Sequence, residues 1–411
     1  MAQQPSRALM PLDEALAQLL ARAHPSDATE SLSTFDADTR VLAADVVSAL
    51  RVPPQDNSSM DGYALRCADV PQSGALMAVS QRIAAGSVAA PLQAGTAARI
   101  FTGAQIPAGA DAVVMQEDCE LLPDGAGLRV RPVPVPGQWI RRAGEDVALG
   151  ARVLARGTRL SPAALGLAAS IGMDRLEVAR RPRVALFSTG DELVMPGEVA
   201  VRDMPAGAIY NSNRFFLRAM LARLGCVVTD LGIVPDRRDA TIAALQDAAG
   251  AHDLVLTSGG VSVGEEDHIK PAVQALGSLN LWQIAIKPGK PFAYGQVGSA
   301  HFIGLPGNPV SSFVTFLLLV RPFLLRLQGV TDTAVSQTTL RADFAWPKPD
   351  RRREFLRVRR NPAGGLEVFT NQSSGVLTSA VWADGLVDNP PGTAIKIGDP
   401  VQFLPFADLL G

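Results

Sequence analysis

The sequence predicts an α/β protein of several domains, centred on a doubly wound, largely parallel sheet and accompanied by two β-rich modules. Three observations carry that reading. Between residues 183 and 329, short apolar runs alternate with helical stretches, the pattern of a parallel sheet covered on both faces. Between 53 and 136, valine-bearing runs are separated by Gly and Pro, as in AGSVAAPLQAGTAARIFTGAQIPAGADAVVMQ, which suits a small β module. From 330 to 411 the texture is strand-like again, in REFLRVRR, LEVFT and TAIKIGDPVQFLPF.

Taken in order, PLDEALAQLLAR (11–22) places Leu12, Leu16, Leu19 and Leu20 on one face of an amphipathic helix. Residues 33–50 read as a strand followed by a helical connector. Residues 140–180 return to extended and helical segments, including SPAALGLAASIGM. In the α/β section VALFST, CVVTDLGIV, DLVLTSGG, LWQIAI and HFIGLP read as strands. NSNRFFLRAMLARLG, RRDATIAALQDAAG and EEDHIKPAVQAL are the helices between them, and NPVSSFVTFLLLVRPFLLRL closes as a long buried helix. Ligands of such sheets sit beyond the carboxyl ends of the strands.

Composition narrows the functional classes. At 411 residues the chain exceeds one ordinary core. Aromatic residues make up 5%, too few for a nucleic-acid surface built on stacked rings. The net charge of −2 gives no global field for polyanions, so any anion site is local. Cys67, Cys119 and Cys226 form no CxxC pair, and the histidines show no metalloprotease spacing. That excludes a disulfide framework and a structural zinc site, and suits a reducing compartment. The N-terminus lacks the apolar core of a signal peptide. The run from Val310 to Leu327 is interrupted by Arg321 and Pro322, short of a membrane span. A cytoplasmic protein without membrane or nucleic-acid partners is expected.

Chemistry gathers at the strand ends. DLVLTSGG runs into VSVGEED; glycines let backbone N–H groups approach an anion, and a helix N-terminus adds partial positive charge. The same residues also describe a glycine-rich turn without a ligand. Asp267 is either a first-turn carboxylate favoured by the helix dipole or a hard ligand holding a divalent metal against a phosphate. KPGKP places Lys287 and Lys290 on one side of a Pro-Gly turn; they bracket an anion or form a solvated loop. In GLPGNPVSS, Asn308 is an N-cap with Pro309 at N1, leaving the amides of Val310 and Ser311 free for an anion. STGDEL adds Asp191 and Glu192, and VPD adds Asp236, which with Asp239 resembles a reciprocal cap. Three anion-competent turns after three strands of one sheet point to a single site. Carboxylates binding Mg²⁺ opposite lysine-held phosphates would suit phosphoryl or nucleotidyl chemistry. Outside the sheet, PPQDNSSMDGYALR exposes Asp56, Asn57, Ser58 and Asp61, TGAQIPAGAD carries Thr102 and Asp111, and RRAGEDV carries Arg141, Arg142, Glu145 and Asp146. Each is also readable as a plain turn.

In this order and spacing, PPQDNSSMDGYALR, FTGAQIPAGADAVVMQED, RRAGEDV, ALFSTGDEL, YNSN, GIVPD, LTSGGVSVGEEDHIK, KPGKPFAYG and LPGNPVSS resemble the bacterial molybdopterin molybdenumtransferase family, MoeA. Its plant and animal relatives include the E domain of gephyrin. The resemblance implies four parts: an elongated N-terminal domain in two stretches (8–52 and 137–182), a β-rich insert (53–136), an α/β domain of the molybdopterin-binding type (183–329) and a C-terminal β domain (330–411). It implies a homodimer whose cleft is lined in part by the partner's insert. It also implies that molybdate and adenylated molybdopterin are the substrates, that Mg²⁺ is present, and that molybdenum cofactor and AMP are released. Contacts with a molybdopterin adenylyltransferase and with molybdoenzyme-specific chaperones belong to the same expectation.

The residues themselves suit that chemistry, because molybdenum is ultimately held by sulfur and this chain offers no cysteine cluster. The soft ligands must then come from the substrate's dithiolene, while molybdate as an oxyanion needs cationic or N–H donors. By the resemblance, Ser258, Gly259, Gly260, Ser262 and Gly264, with Lys287, Lys290 and Asn308, hold the adenylate and phosphates. Asp267 and Glu192, with Asp236, serve the metal and the phosphoanhydride. Asp61, Thr102 and Asp146 act on the pterin or molybdate side. Arg352 or Arg353, with Ser374, fit an oxyanion, although Ser373 stands where the family usually has Gly. Two rival readings remain at this point: a molybdopterin adenylyltransferase, which would consume ATP, and a scaffold of the gephyrin type.

Overall fold

The structure, a computed structural model, describes residues 9–123, 127–261 and 268–410. The apolar runs of the α/β section become a six-stranded sheet in the order Val227–Val234, Arg183–Thr189, Leu254–Ser258, Ala300–Leu305, Pro291–Val297, Gly277–Gln283. The first four are parallel and the last two antiparallel. Leu254–Ser258 is buried along its whole length, as a strand covered on both faces must be. Val184, Leu186 and Leu254 pack in one core with the helices Asn213–Arg223 and Pro309–Thr315. Ala185, Phe187 and Val255 pack in a second core with Arg238–Ala251 and Ile269–Leu276. The sheet is thus doubly covered, as its sequence pattern predicts.

Two helices extend the first core. Leu12–Leu20 buries Leu12, Ala15 and Leu19 there, with Leu16 and Leu20 half-buried. The stretch from Pro309 to Leu327 is helical throughout, with a π segment at Phe316–Val320. By length and hydropathy it could cross a membrane, but 83% of its apolar window is buried inside the protein. Arg321 is 8% exposed within it and donates to the carbonyls of Thr333 and Asp408.

Upstream, Thr29–Ser33 pairs with Arg175–Ala179 and Val46–Val47 with Arg152–Leu154, so two distant stretches share one core around Leu42, Val46, Leu160, Ala164 and Val178. The helix Pro162–Ser170 is entered through Ser161, whose hydroxyl accepts the Ala164 N–H. The helical connector expected within 33–50 does not form. A single 3-10 turn at Thr34–Asp36 gives way to the short strand Val46–Val47, because pairing across the chain outweighs local helix propensity. The β module between these stretches is a six-stranded sheet in the order Ala112–Met115, Gly62–Leu65, Thr96–Ile100, Ala75–Ile83, Gly127–Val130, Cys119–Leu121.

The C-terminal residues form a further sheet around Arg353–Arg360, Gly385–Asn389, Pro400–Pro405 and Thr338–Arg341. Its outermost strand, Ile286–Lys287, comes from the α/β section and runs parallel to Arg353–Glu354. LWQIAI therefore splits between two sheets, and Pro291–Val297 is a strand that the prolines of KPGKP conceal from a sequence reading.

This part of the protein should be the most acid-sensitive. Hydrogen bonds from Arg352 hold the Asp350 carboxyl well below the usual range, against its partial burial, and those from Arg341 and Asn361 lower Asp343 to about 2. A carboxylate depressed in the folded state contributes stability above its unfolded pKa and loses it as pH falls towards the folded value. Fluorescence of Trp346 and Trp382 should report loosening between about pH 4 and pH 2, absent when both Asp350 and Asp343 are replaced by Asn.

Candidate functional site

A cavity of about 620 Å³ opens at the carboxyl ends of the parallel strands. Ser188 and Thr189 end one strand there. Ser258 ends the next and leads into Gly259 and Gly260, while Leu305 leads into Pro306, Gly307 and Asn308. The walls are completed by Glu192, Asn211, Asn213 and Asp236, with Gly375 arriving from the C-terminal domain.

The turn after Ser258 needs its glycines. Gly259 has φ +98° and a Cβ there would lie 2.7 Å from the Thr189 carbonyl oxygen. Gly260 has φ +66° and would meet Ile269 at 2.7 Å. Both positions are left-handed and crowded, where a side chain is strained. Asn213, which is 8% exposed, locks the turn to its neighbour, donating to Ser258 Oγ at 2.8 Å and to the Gly307 carbonyl at 2.7 Å.

Of the residues that the sequence singles out, Ser258, Gly259, Gly260, Glu192, Asp236 and Asn308 line this one cavity. Ser262, Gly264 and Asp267 lie outside the described residues. Glu192 is exposed, and its carboxylate folds against Gly190. Asp236 precedes Arg237, which occupies the N-cap of Arg238–Ala251 without a side-chain cap bond of its own. Asn308 is an N-cap by backbone geometry, with Pro309 at N1 and no side-chain cap bond.

Of the two amides expected to be open to an anion, that of Val310 is engaged, and so is the first amide of the glycine turn. Gly259 N–H donates to Leu305 O at 3.1 Å, and Val310 N–H donates to Ser374 O at 2.9 Å. The second bond docks the QSSG loop of the C-terminal domain onto the rim of the cavity, which is how Gly375 reaches it.

The lysine turn also differs from the picture of two bare cations. Lys287 Nζ lies 3.2 Å from Glu354 Oε1 and 3.5 Å from Asp350 Oδ2, so its countercharge is supplied by the C-terminal domain. Lys290 is exposed, and Pro291 beside it lines the cavity. Arg352 chelates Asp350 at 3.0 and 2.8 Å. Arg353 chelates Asp388 at 2.6 Å through two nitrogens and reaches Asp13 at 3.0 Å. Ser374 contributes its carbonyl to Val310.

The polar segments outside the sheet converge on one another. Asp61 Oδ1 accepts both the N–H and the hydroxyl of Thr102 at 2.8 Å, contacts that lower its pKa. Asp56 binds Arg142 at 2.6 Å and the Ala143 N–H at 2.8 Å, and Asp146 is exposed on the same loop. Among the described residues, no hydrogen bond or ion pair joins this cluster to the cavity of the same chain.

Sequence reasoning missed Ser188, Asn211 and Asn213 as individual site residues. The available signal was polar residues in unlikely company: Ser-Thr ending the apolar run VALFST, and two asparagines flanking a serine in YNSN at a helix start.

Known proteins match this chain along nearly all its length. Three family profiles fit in succession: the MoeA N-terminal region (domain I and II) over residues 10–172, a probable molybdopterin binding domain over 185–326, and the MoeA C-terminal region (domain IV) over 339–406. The molybdopterin molybdenumtransferase of Haemophilus influenzae is 39% identical over 414 residues, covering 98% of this chain and 100% of that protein. Molybdopterin molybdenumtransferase 2 of Mycobacterium tuberculosis is 35% identical, covering 87% of this chain and 92% of that protein. A crystal structure of the molybdopterin biosynthesis moeA protein from Pyrococcus horikoshii OT3 superposes with a TM-score of 0.84 at 28% identity, covering 97% of this chain and all of that one. With the order of its domains and the strand-end cavity at its centre, the chain belongs to the MoeA family of molybdopterin molybdenumtransferases.

Proposed function

We propose that this chain inserts molybdenum into molybdopterin, taking molybdate and the adenylated pterin as substrates and releasing AMP with the finished cofactor. The observation that carries this reading is the cavity itself: a glycine turn and two carboxylates, Glu192 and Asp236, share one wall system in a member of this family. The Ser258–Gly260 turn supports the adenylate and its phosphate, with Asn308 and Lys290 at the edge. Lys287 is shared with the C-terminal domain and sets the position of the turn.

The donor chemistry fits Mg²⁺. Glu192 and Asp236 offer hard carboxylate oxygens, and among the described residues no group of three or more His, Cys, Asp or Glu could hold a metal unaided. Mg²⁺ needs no such cage, since it keeps waters and uses one or two carboxylates plus substrate phosphates. Asp267 would join this set. Bound there, the ion would neutralise charge on the phosphoanhydride.

Asp61 and Thr102 are bonded to each other and, among the described residues, no hydrogen bond or ion pair joins them or Asp146 to their own chain's cavity, which supports a homodimer in which each insert completes the partner's site. A cytoplasmic setting, with a molybdopterin adenylyltransferase upstream and molybdoenzyme-specific chaperones downstream, fits this chemistry. Complementation checks the arrangement, with molybdate-dependent AMP release as readout. Asp61→Ala and Glu192→Gln variants should each be nearly inactive. A 1:1 mixture after subunit exchange should recover about a quarter of wild-type turnover, because half its dimers are mixed and each of those carries one intact composite site. A mixture that stays inactive after subunit exchange is verified would place both residues in one protomer's site or in none.

A further inference from the structure

Among the described residues, six buried side-chain polar atoms lack a hydrogen-bond partner, and two of them belong to residues lining the cavity: Ser188 Oγ and Asn211 Nδ2. Both residues are 1% exposed. A buried donor without a partner is unfavourable, and native structures retain few of them. The neighbouring asparagine provides the contrast: Asn213 has its amide nitrogen engaged twice, on Ser258 and on Gly307. The other half of the Asn211 amide is also employed, since its Oδ1 accepts the Arg214 N–H at 3.2 Å and so orients the side chain at the start of Asn213–Arg223. That bond leaves the nitrogen fixed and unsatisfied.

Register places Ser188 centrally. It is level with Ser258 on one neighbouring strand and with Ile233 on the other, so it stands between the glycine turn and the strand leading to Asp236. Any ligand spanning the turn and the carboxylates passes over it. In unliganded sites such groups commonly stand a small shift away from the partner they meet when the site fills.

We propose that Asn211 Nδ2 and Ser188 Oγ read an acceptor oxygen of the bound nucleotide, making these two residues specificity determinants of the cavity. The inference rests on the functional reading above only in naming the nucleotide. The acceptor is a phosphoryl or a ribose oxygen, and both present the lone pair that an amide N–H and a hydroxyl require.

The test pairs binding with stability in the full-length protein. Calorimetric titration with AMP, adenosine and inorganic phosphate is run on wild type, Asn211→Ala, Asn211→Asp and Ser188→Ala. Asn211→Asp keeps the oxygen that receives the Arg214 N–H but puts a charged oxygen in place of the unsatisfied nitrogen, so its effect on AMP is read against uncharged adenosine and against Asn211→Ala. Each variant should bind AMP about 10-fold more weakly, while the melting temperature of Ser188→Ala holds or rises; Asn211→Ala also loses the Arg214 bond and is read for binding alone. Asn213→Ala, which breaks satisfied bonds, should melt lower. A parallel loss for adenosine marks the ribose as the group read, and a loss confined to AMP and phosphate marks the phosphoryl group. AMP binding unchanged in Asn211→Ala or Asn211→Asp, absent from wild type, or lost in Ser188→Ala in step with a fall in its melting temperature overturns the proposal. The functional reading fails separately, if AMP binding responds as described yet adenylated molybdopterin and molybdate are not turned over.

Discussion

Replacing Gly259 by alanine should remove at least nine-tenths of the protein's affinity for AMP while leaving the protein folded. The backbone at Gly259 is at φ +98°, and an added Cβ would stand 2.7 Å from the Thr189 carbonyl oxygen. A left-handed backbone alone costs a side chain about 1–2 kcal/mol. The second obstacle is worse, because the opposing atom is backbone at the end of the neighbouring buried strand and has nowhere to go. The turn must therefore shift. Its first amide is bonded to Leu305 O at 3.1 Å and its serine to Asn213 at 2.8 Å, so a shift disturbs the adjoining Pro306–Asn308 turn as well. Circular dichroism should be unchanged, and titration with AMP should show the loss. Wild-type affinity in Gly259→Ala would mean that the turn does not touch the nucleotide.

Glu354→Ala should be the most damaging single substitution at the junction with the C-terminal domain, at about 3 kcal/mol or more. Glu354 is 1% exposed, and its carboxylate accepts from Lys287 Nζ at 3.2 Å, Trp346 Nε1 at 2.8 Å and the Asp350 N–H at 3.0 Å. Truncation leaves those donors without their acceptor and frees one end of the Ile286–Lys287 strand. Lys287→Ala should cost less, about 1 kcal/mol, because that side chain is 39% exposed and Glu354 keeps its other two bonds. The sign matters here. Two adjacent lysines repelling one another would lose nothing, or gain, on truncation, whereas an ion pair to a buried glutamate must lose. Denaturant melts followed by Trp346 fluorescence separate the two outcomes, and a stabilised Lys287→Ala would contradict the ion pair.

That reversal shows where the sequence was legible and where it was not. Local signals held: unbroken apolar runs became buried strands, and Ser161 with Pro162 opened a helix. SGG became a turn with two left-handed glycines. The convergence of three strand ends on one cavity also followed, because parallel topology forces it. Partners distant in sequence were not legible. Nothing near KPGKP announces that Glu354, 67 positions away, supplies its countercharge, or that Ser374 occupies the Val310 amide. Residues 33–50 failed for the same reason, since Val46–Val47 is fixed as strand by Arg152–Leu154. Asn211 and Asn213 look alike in YNSN, and only tertiary packing makes one a structural tie and the other a donor without a partner.

The measurement closest to the central claim is a reconstitution with purified protein, adenylated molybdopterin and Mg²⁺, following AMP release with and without molybdate. Molybdate should trigger stoichiometric AMP release and the appearance of molybdenum bound to the pterin dithiolene. Both should be lost in Glu192→Gln and in Gly259→Ala. AMP release that ignores molybdate, or cofactor formation that survives both substitutions, would contradict molybdenum insertion at this cavity.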